Sequence, residues 1–237
     1  MGTGGGGVQP DDGRHSQIPF PWFHDLGCST AEADSPSVAG HATKGRIGRE
    51  ITPQKGRREV TPSEQFIHVL TKLKTGELGL LRSHAGQGLD ETVEGFDLFT
   101  GLWWPLRANN QFAPRRETAW LVAKLFGAFP IPNARPDDKK GTQLAQILGR
   151  YEPRRPFLQE RYRHWFDSLL QTPLPRLEPH LRRALSVVAD LEDTGLVIGI
   201  DWAQLLDDLS IWDRSEKHRR GIDVREEWAC QYLEAAK

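Results

Sequence analysis

From residue 61 onward the apolar residues recur three and four apart, the spacing that lines one face of an α-helix. Phe66, Val69, Leu70 and Leu73 form the first such stripe. Thr61-Pro62-Ser63-Glu64 precedes it and reads as a helix start. The threonine oxygen can accept from the Glu64 amide, the Glu64 carboxylate can reach back, and Pro62 lacks an amide where none has a helical acceptor. Gly76 is the predicted stop. A short helix through Leu78, Leu80, Leu81 and Arg82 follows, ending near Gly86 and Gly88. The next stripe, Phe96, Phe99, Leu102 and Trp103, is expected to halt at Pro105, because proline removes a helical donor and its ring clashes with the preceding turn. A fourth helix carries Trp120, Leu121, Val122, Leu125, Phe126 and Phe129 and is closed by Pro130 and Pro132.

The stretch from Pro130 to Gly141 is rich in proline and charge and reads as a linker. Beyond it, Leu158, Tyr162, Trp165, Phe166 and Leu169 make one stripe, and Leu177, Leu181, Ala184, Leu185 and Val188 make another. Asp201-Trp-Ala-Gln204 repeats the capping-box pattern ahead of Trp202, Leu205, Leu206, Leu209 and Trp212. Val224, Trp228 and Tyr232 supply the last stripe. The one strand-like run, Leu196 to Ile200, has no partner strand and is expected to be a buried approach to the following helix. The pattern predicts an all-α fold of two small helical bundles, residues 61–135 and 141–237, joined by the proline-rich linker.

Residues 1–60 show no such period. They open on Gly-Thr-Gly-Gly-Gly-Gly and continue through scattered Pro, Gly, Ser and His, the composition of a disordered extension. Phe20, Trp22 and Phe23 among Pro19 and Pro21 are either a short docking motif or an adhesive part of that tail. Over the whole chain, 38% hydrophobic and 27% charged residues set aside wholesale disorder, collagen-like and membrane classes. No apolar run approaches the roughly 20 residues of a membrane-spanning helix, and the amino terminus has no signal-peptide pattern. The cytoplasm is the expected compartment. Cys28 and Cys230 are the only cysteines and lie near opposite ends, so no disulfide framework is indicated.

A net charge of −1 excludes a generally basic polyanion binder, so any such site must be local. Residues 150–183 are the basic stretch, with eight arginines against Glu152, Glu160, Asp167 and Glu178. Catalytic chemistry is not evident. Gly2 to Gly7 are not followed by the Lys-Ser/Thr and helix of a phosphate-cradling loop. The spacing of His24, Cys28 and His41 matches no standard zinc pattern. The acidic groups Asp90, Glu91, Glu94 and Asp97, and again Asp190, Glu192 and Asp193, have no histidine at helical ligand spacing. They read as solvated helix ends. No cofactor and no metal are expected. Trp120, Trp165, Trp202, Trp212 and Trp228 fall on apolar stripes and are candidate core, whereas Trp104, beside Trp103, is left over. Arg182 and Arg183 lie off the stripe of their helix, and Arg161 and Arg163 flank Tyr162 on the preceding one. A solvated face with pairs such as Arg163 to Asp167 and a polyanion-binding face are both compatible with that spacing.

Three strings resemble the carboxy-terminal half of the CasB family, the small subunit of the type I-E CRISPR surveillance complex Cascade. They are Arg163-His-Trp-Phe-Asp-Ser-Leu-Leu170, His180-Leu-Arg-Arg-Ala-Leu185 and Ile200-Asp-Trp-Ala-Gln-Leu-Leu-Asp-Asp-Leu-Ser-Ile-Trp212. Gly141 to Leu148 and Leu73 to Arg82 resemble further blocks of the family in the same order. The resemblance implies an all-helical protein of two small bundles with no active site and two copies stacked in the assembly beside other Cascade subunits. It implies a basic surface that contacts guide RNA and target DNA. Carried over by position, that surface comprises Arg82, Arg161, Arg163, Arg182 and Arg183, with Arg107, Lys124, Arg154 and Arg155 as basic neighbours. The chain departs from the pattern where only Arg82, preceded by Leu81, stands for a basic pair, where Gln146 stands for an arginine, and in the extension. The expected role is a non-catalytic, antiviral subunit that stabilises an R-loop. A pure scaffold touching only protein neighbours, and a metal enzyme built on residues 190–193, are the alternatives.

Overall fold

The computed structural model of the chain describes residues 60–91, 93–134, 141–213 and 223–237. Residues 1–59 of the expected disordered extension, with its aromatic-proline cluster and its histidines, and residues 135–140 of the linker lie outside the described residues. Among those residues the structure is helical. The elements are α1 (Pro62–Leu70), α2 (Thr75–Ser83), α3 (Val93–Asn109), α4 (Arg116–Ala128), α5 (Leu144–Arg150), α6 (Pro156–Gln171), α7 (Glu178–Asp193), α8 (Trp202–Ile211) and α9 (Val224–Ala235), with 3-10 turns at Leu89–Glu91 and Leu174–Arg176. No described helix is long and apolar enough to cross a membrane. The run before α8 forms no strand; Ile200 makes one isolated bridge to Asn133. That run alternates rather than burying throughout: Val197 and Ile200 face the core, whereas Leu196 and Ile198 are exposed.

Local chemistry accounts for where the helices start. At α1 the capping box is complete: the Glu64 amide donates to Thr61 Oγ1 at 3.1 Å, and the Thr61 amide donates to Glu64 Oε2 at 2.9 Å. At α8 half of the expected box is made. Asp201 Oδ1 accepts from the Gln204 amide at 3.0 Å, and the Gln204 side chain donates onward to Asp208. Two stops fall elsewhere than predicted. The first helix ends at Leu70, Lys74 caps the next, and Gly76 lies in the first turn of α2. Pro105 lies inside α3, which continues to Asn109. The carbonyl that Pro105 leaves without a donor belongs to Gly101, which is exposed and can be solvated. Leu106, just beyond, packs on the core and offsets part of the cost.

α2 packs on α4, α1 on α3 and α8, α4 on α7 and α8, and α5 on α7 and α9. All five tryptophans assigned to the core are buried. Four of their indole N–H groups find acceptors: Trp120 on the Gln87 carbonyl, Trp202 on the Ile131 carbonyl, Trp212 on the Thr172 carbonyl and Trp228 on Asp208. This lets a large ring be buried without stranding its polar edge. α5 and α9 approach so closely that a Cβ on Gly149 would lie 2.2 Å from the Tyr232 carbonyl oxygen. Gly199 has φ +143°, and its backbone passes over Pro132, whose carbonyl accepts from the Ile200 amide.

One carboxyl is embedded between α8 and α9. Asp208 accepts from Trp228 Nε1 and from Gln204 Nε2, both at 2.7 Å. Burial, with smaller contributions from the charges of Glu227 and Asp207, outweighs those bonds and pushes the group up to about 7. Next to it, the Ser63 hydroxyl donates to Asp207, tying the first turn of α1 to α8.

Candidate nucleic-acid interface

α6 and α7 carry the arginines on which a polyanion site depends. Pro156 opens α6, where its missing amide has no helical acceptor, and Trp165, Phe166 and Leu169 face inward with Tyr162 half-buried. Residues two apart on a helix are separated by about 200°. Arg161 and Arg163 therefore leave α6 on opposite flanks of that stripe, not on a common one.

Their environments differ accordingly. Arg163 donates from Nε and Nη2 to the two oxygens of Glu152, with Nη2 to Oε2 at 3.0 Å. The Glu152 side chain is only 4% exposed. The hydrogen bond to Glu152 outweighs partial burial and holds the Arg163 guanidinium above its ordinary value. The anticipated Arg163–Asp167 pair is not made, because Asp167 instead accepts from the Gln171 side chain at 2.8 Å. Arg161 is exposed, with its guanidinium 5.6 Å above the Phe157 ring one turn earlier.

The adjacent pair on α7 divides in the same way. Arg183 is exposed and lies 4.8 Å above the Trp165 ring, bridging α7 to α6. Arg182 is half-buried on another side of its helix, 3.7 Å from Glu178 and 5.8 Å from the Phe129 ring. Of the four guanidinium groups, those of Arg161 and Arg183 are open and rest on aromatic rings, while those of Arg163 and Arg182 are tied to carboxylates.

The remaining basic positions fall into three groups. Arg154 and Arg155 are exposed at the amino-terminal end of α6, the same helix as Arg161, with no ion pair among the described residues. Arg82 and Arg107 are exposed but use one nitrogen on a carbonyl, that of Gly127 at 3.0 Å and that of Gln111 respectively. Lys124 is withdrawn from the surface, contrary to its expected place among the neighbours. Its Nζ lies 2.6 Å from Glu178 and 2.8 Å from the Gln87 carbonyl, with the side chain 4% exposed. The sequence carried a signal for this. Nearly all of residues 118–127 is buried, so a lysine inside that apolar run requires an internal counter-charge. Glu178 fills that role and also accepts from the Gly86 amide. Among the described residues no group of three acidic, histidine or cysteine side chains is placed to hold a metal ion, and Asp190, Glu192 and Asp193 close α7.

Comparison with known proteins bears on the family and the fold. Residues 77–233 match the family model for CRISPR-associated protein Cse2. The fold is similar to the crystal structure of CasB from M. ruber, with a TM-score of 0.56 and 22% identity over 74% of this chain and 94% of that one. It is also similar to CasB from Thermus thermophilus, with a TM-score of 0.51 and 24% identity over 73% and 99%. No curated protein matches. At these identities the structural likeness carries the fold, and the family model, which spans about two thirds of the sequence, carries the membership: the chain belongs to the CRISPR-associated Cse2 family.

Proposed function

We propose that this chain is a non-catalytic small subunit of a cytoplasmic, type I-E CRISPR RNA-guided surveillance complex. In that setting it lies beside other Cascade subunits and a second copy of itself, and contacts the phosphates of guide RNA and target DNA. Base pairing by the guide supplies sequence specificity, and the protein supplies backbone contacts that hold the opened duplex during antiviral defence. The observation that carries this reading is the open pair on α6 and α7: among the described residues no carboxylate neutralises the exposed guanidinium groups of Arg161 and Arg183, which lie 5.6 Å over the Phe157 ring and 4.8 Å over the Trp165 ring. A flat, weakly hydrated cation suits a phosphate better than a mobile ammonium. Arg154 and Arg155 extend the positive surface along α6.

With four such contacts, raising salt from about 50 to 200 mM weakens binding about a hundredfold. The test is target-DNA binding by the RNA-bearing complex carrying Arg161→Ala and Arg183→Ala. Binding should weaken and the salt slope should fall by about two. An unchanged slope removes these residues from the strand path. A second reading, a scaffold that meets only protein neighbours, draws support from the exposed Phe157, Leu158, Leu196 and Ile198. Cross-linking to labelled guide or target strands separates the two readings.

A further inference from the structure

The two halves of α9 are fastened to the fold by different chemistry. The carboxy-terminal half lies on apolar neighbours: the Tyr232 ring stacks on Phe166 of α6 with centroids 4.2 Å apart, and the Tyr232 backbone passes Gly149 of α5 with no room for a Cβ. The amino-terminal half is tied to α8 and its end by polar side chains. Trp228 Nε1 donates to Asp208 Oδ2 at 2.7 Å, and Arg225 donates to the Trp212 carbonyl at 3.2 Å and to Asp213 at 2.8 Å. The Trp228 ring meets that of Trp212 edge-on at 5.1 Å. Asp208 is the group in this set whose charge nothing offsets. Its carboxyl is faced by Gln204 on its own helix, by Trp228 and Glu227 on α9, and by Asp207, which accepts from Ser63 of α1. Both charged neighbours are acidic, and among the described residues Asp208 makes no ion pair. An ionised carboxylate there keeps two N–H donors but gives up most of its water and is repelled by Glu227 and Asp207.

We propose that Asp208 is a proton-operated clasp: when protonated it holds the amino-terminal half of α9 against α8, and when ionised it lets that half open locally while Tyr232 keeps the other half on α5 and α6. Position makes the opening local. Asp208 and Gln204 are only half-buried, so water reaches the carboxylate once the first turns of α9 move outward, and the fully covered centre of α4 stays closed. The direction follows from linkage. In the open form the group is hydrated and ionises near 3.8, whereas in the closed form burial, the largest influence, pushes it up to about 7. Between those values the closed form retains a proton that the open form has released, so opening gains with rising pH and levels off above about 7. Such opening is a property of the free chain and holds whichever reading of its partners is correct. It exposes Trp228 and Trp212, and it leaves α6 supported by half of α9.

The experiment follows hydrogen exchange of the full chain by NMR at pH 5, 6, 7 and 8, with each rate divided by that of an unstructured peptide at the same pH. The indole N–H of Trp228 and the backbone amides of residues 228–230 report on the clasp, and the amides of residues 121–125 in α4 report on opening of the whole chain. Protection at the clasp should lie below that of α4 at every pH and should fall about tenfold or more between pH 5 and 7, then level off. Asp208→Asn, which keeps an acceptor for Trp228 but cannot ionise, should make clasp protection independent of pH. Three results overturn the proposal. Clasp protection equal to that of α4 means that the chain opens only as a whole. Clasp protection in the native chain that does not change between pH 5 and 7 means that no proton is involved. A pH dependence that persists in Asp208→Asn assigns the proton to another group. The first two are read from the native chain alone and stand however the variant folds.

Discussion

Asp208 makes the stability of this fold depend on pH in a direction opposite to that of most carboxylates. An unfolded aspartate releases its proton near 3.8, whereas burial between α8 and α9 moves the folded group up to about 7. Between those values the folded chain retains a proton that the unfolded chain has lost, so stability falls as pH rises. The contribution is whole below about pH 4, is lost progressively up to about pH 7, and is flat beyond, where both states are ionised. A separation of about three units corresponds to about 4 kcal/mol. Asp208→Asn removes the titration. Its carbonyl can still accept from Trp228 Nε1, and a flipped Gln204 amide can accept from its NH2 group. Urea unfolding at pH 5, 6, 7 and 8, followed by tryptophan emission, measures both proteins. The stability of the parent relative to the variant should fall by a few kcal/mol across that series, leaving the variant the more stable at pH 8. A difference independent of pH would show that the carboxyl does not hold its proton in the fold, and the burial argument would fail.

Three further outcomes follow from the packing. Lys124→Met leaves Glu178 with its internal cation removed and should cost about 3 kcal/mol or more in denaturant unfolding, while the Lys124→Met/Glu178→Gln pair should recover much of it. Gly149→Ala places a methyl group against the Tyr232 carbonyl and should cost about 1–3 kcal/mol by forcing α5 and α9 apart, read as a lowered melting temperature. Arg163→Ala should lower stability by about 1 kcal/mol or more, because it strips the covered Glu152 of its partner, whereas Arg183→Ala on the open face should stay within about 0.5 kcal/mol. Equal losses at the two arginines would contradict the division between paired and open groups.

What the sequence disclosed was local, and what it withheld was not. Helix positions, the Thr61 cap and the burial of five tryptophans depend on spacings of three or four residues, and they are where the pattern puts them. Gly76 and Pro105 misled because a turn residue acts only in context: two residues past the end of α1 the chain was already turning, and Pro105 faces solvent where its lost bond costs least. The pairing of Glu152 with Arg163 spans eleven positions and crosses a loop, and that of Lys124 with Glu178 spans 54. No periodicity encodes either contact. The separation of Arg161 from Arg163 was legible, since a 100° step per residue already places them on opposite flanks. The neighbour that selects between free and neutralised came only with the tertiary structure.

The Arg183 guanidinium lies 4.8 Å over the Trp165 ring. An arginine side chain free in water gives up as much as about 2 kcal/mol of rotational freedom when it is fixed. Here the Trp165 ring restricts the side chain on folding, so under the proposed function part of that loss is incurred before an anion arrives. A lysine at this position would keep the charge but arrive unordered, and the same contact would form with a larger entropic penalty.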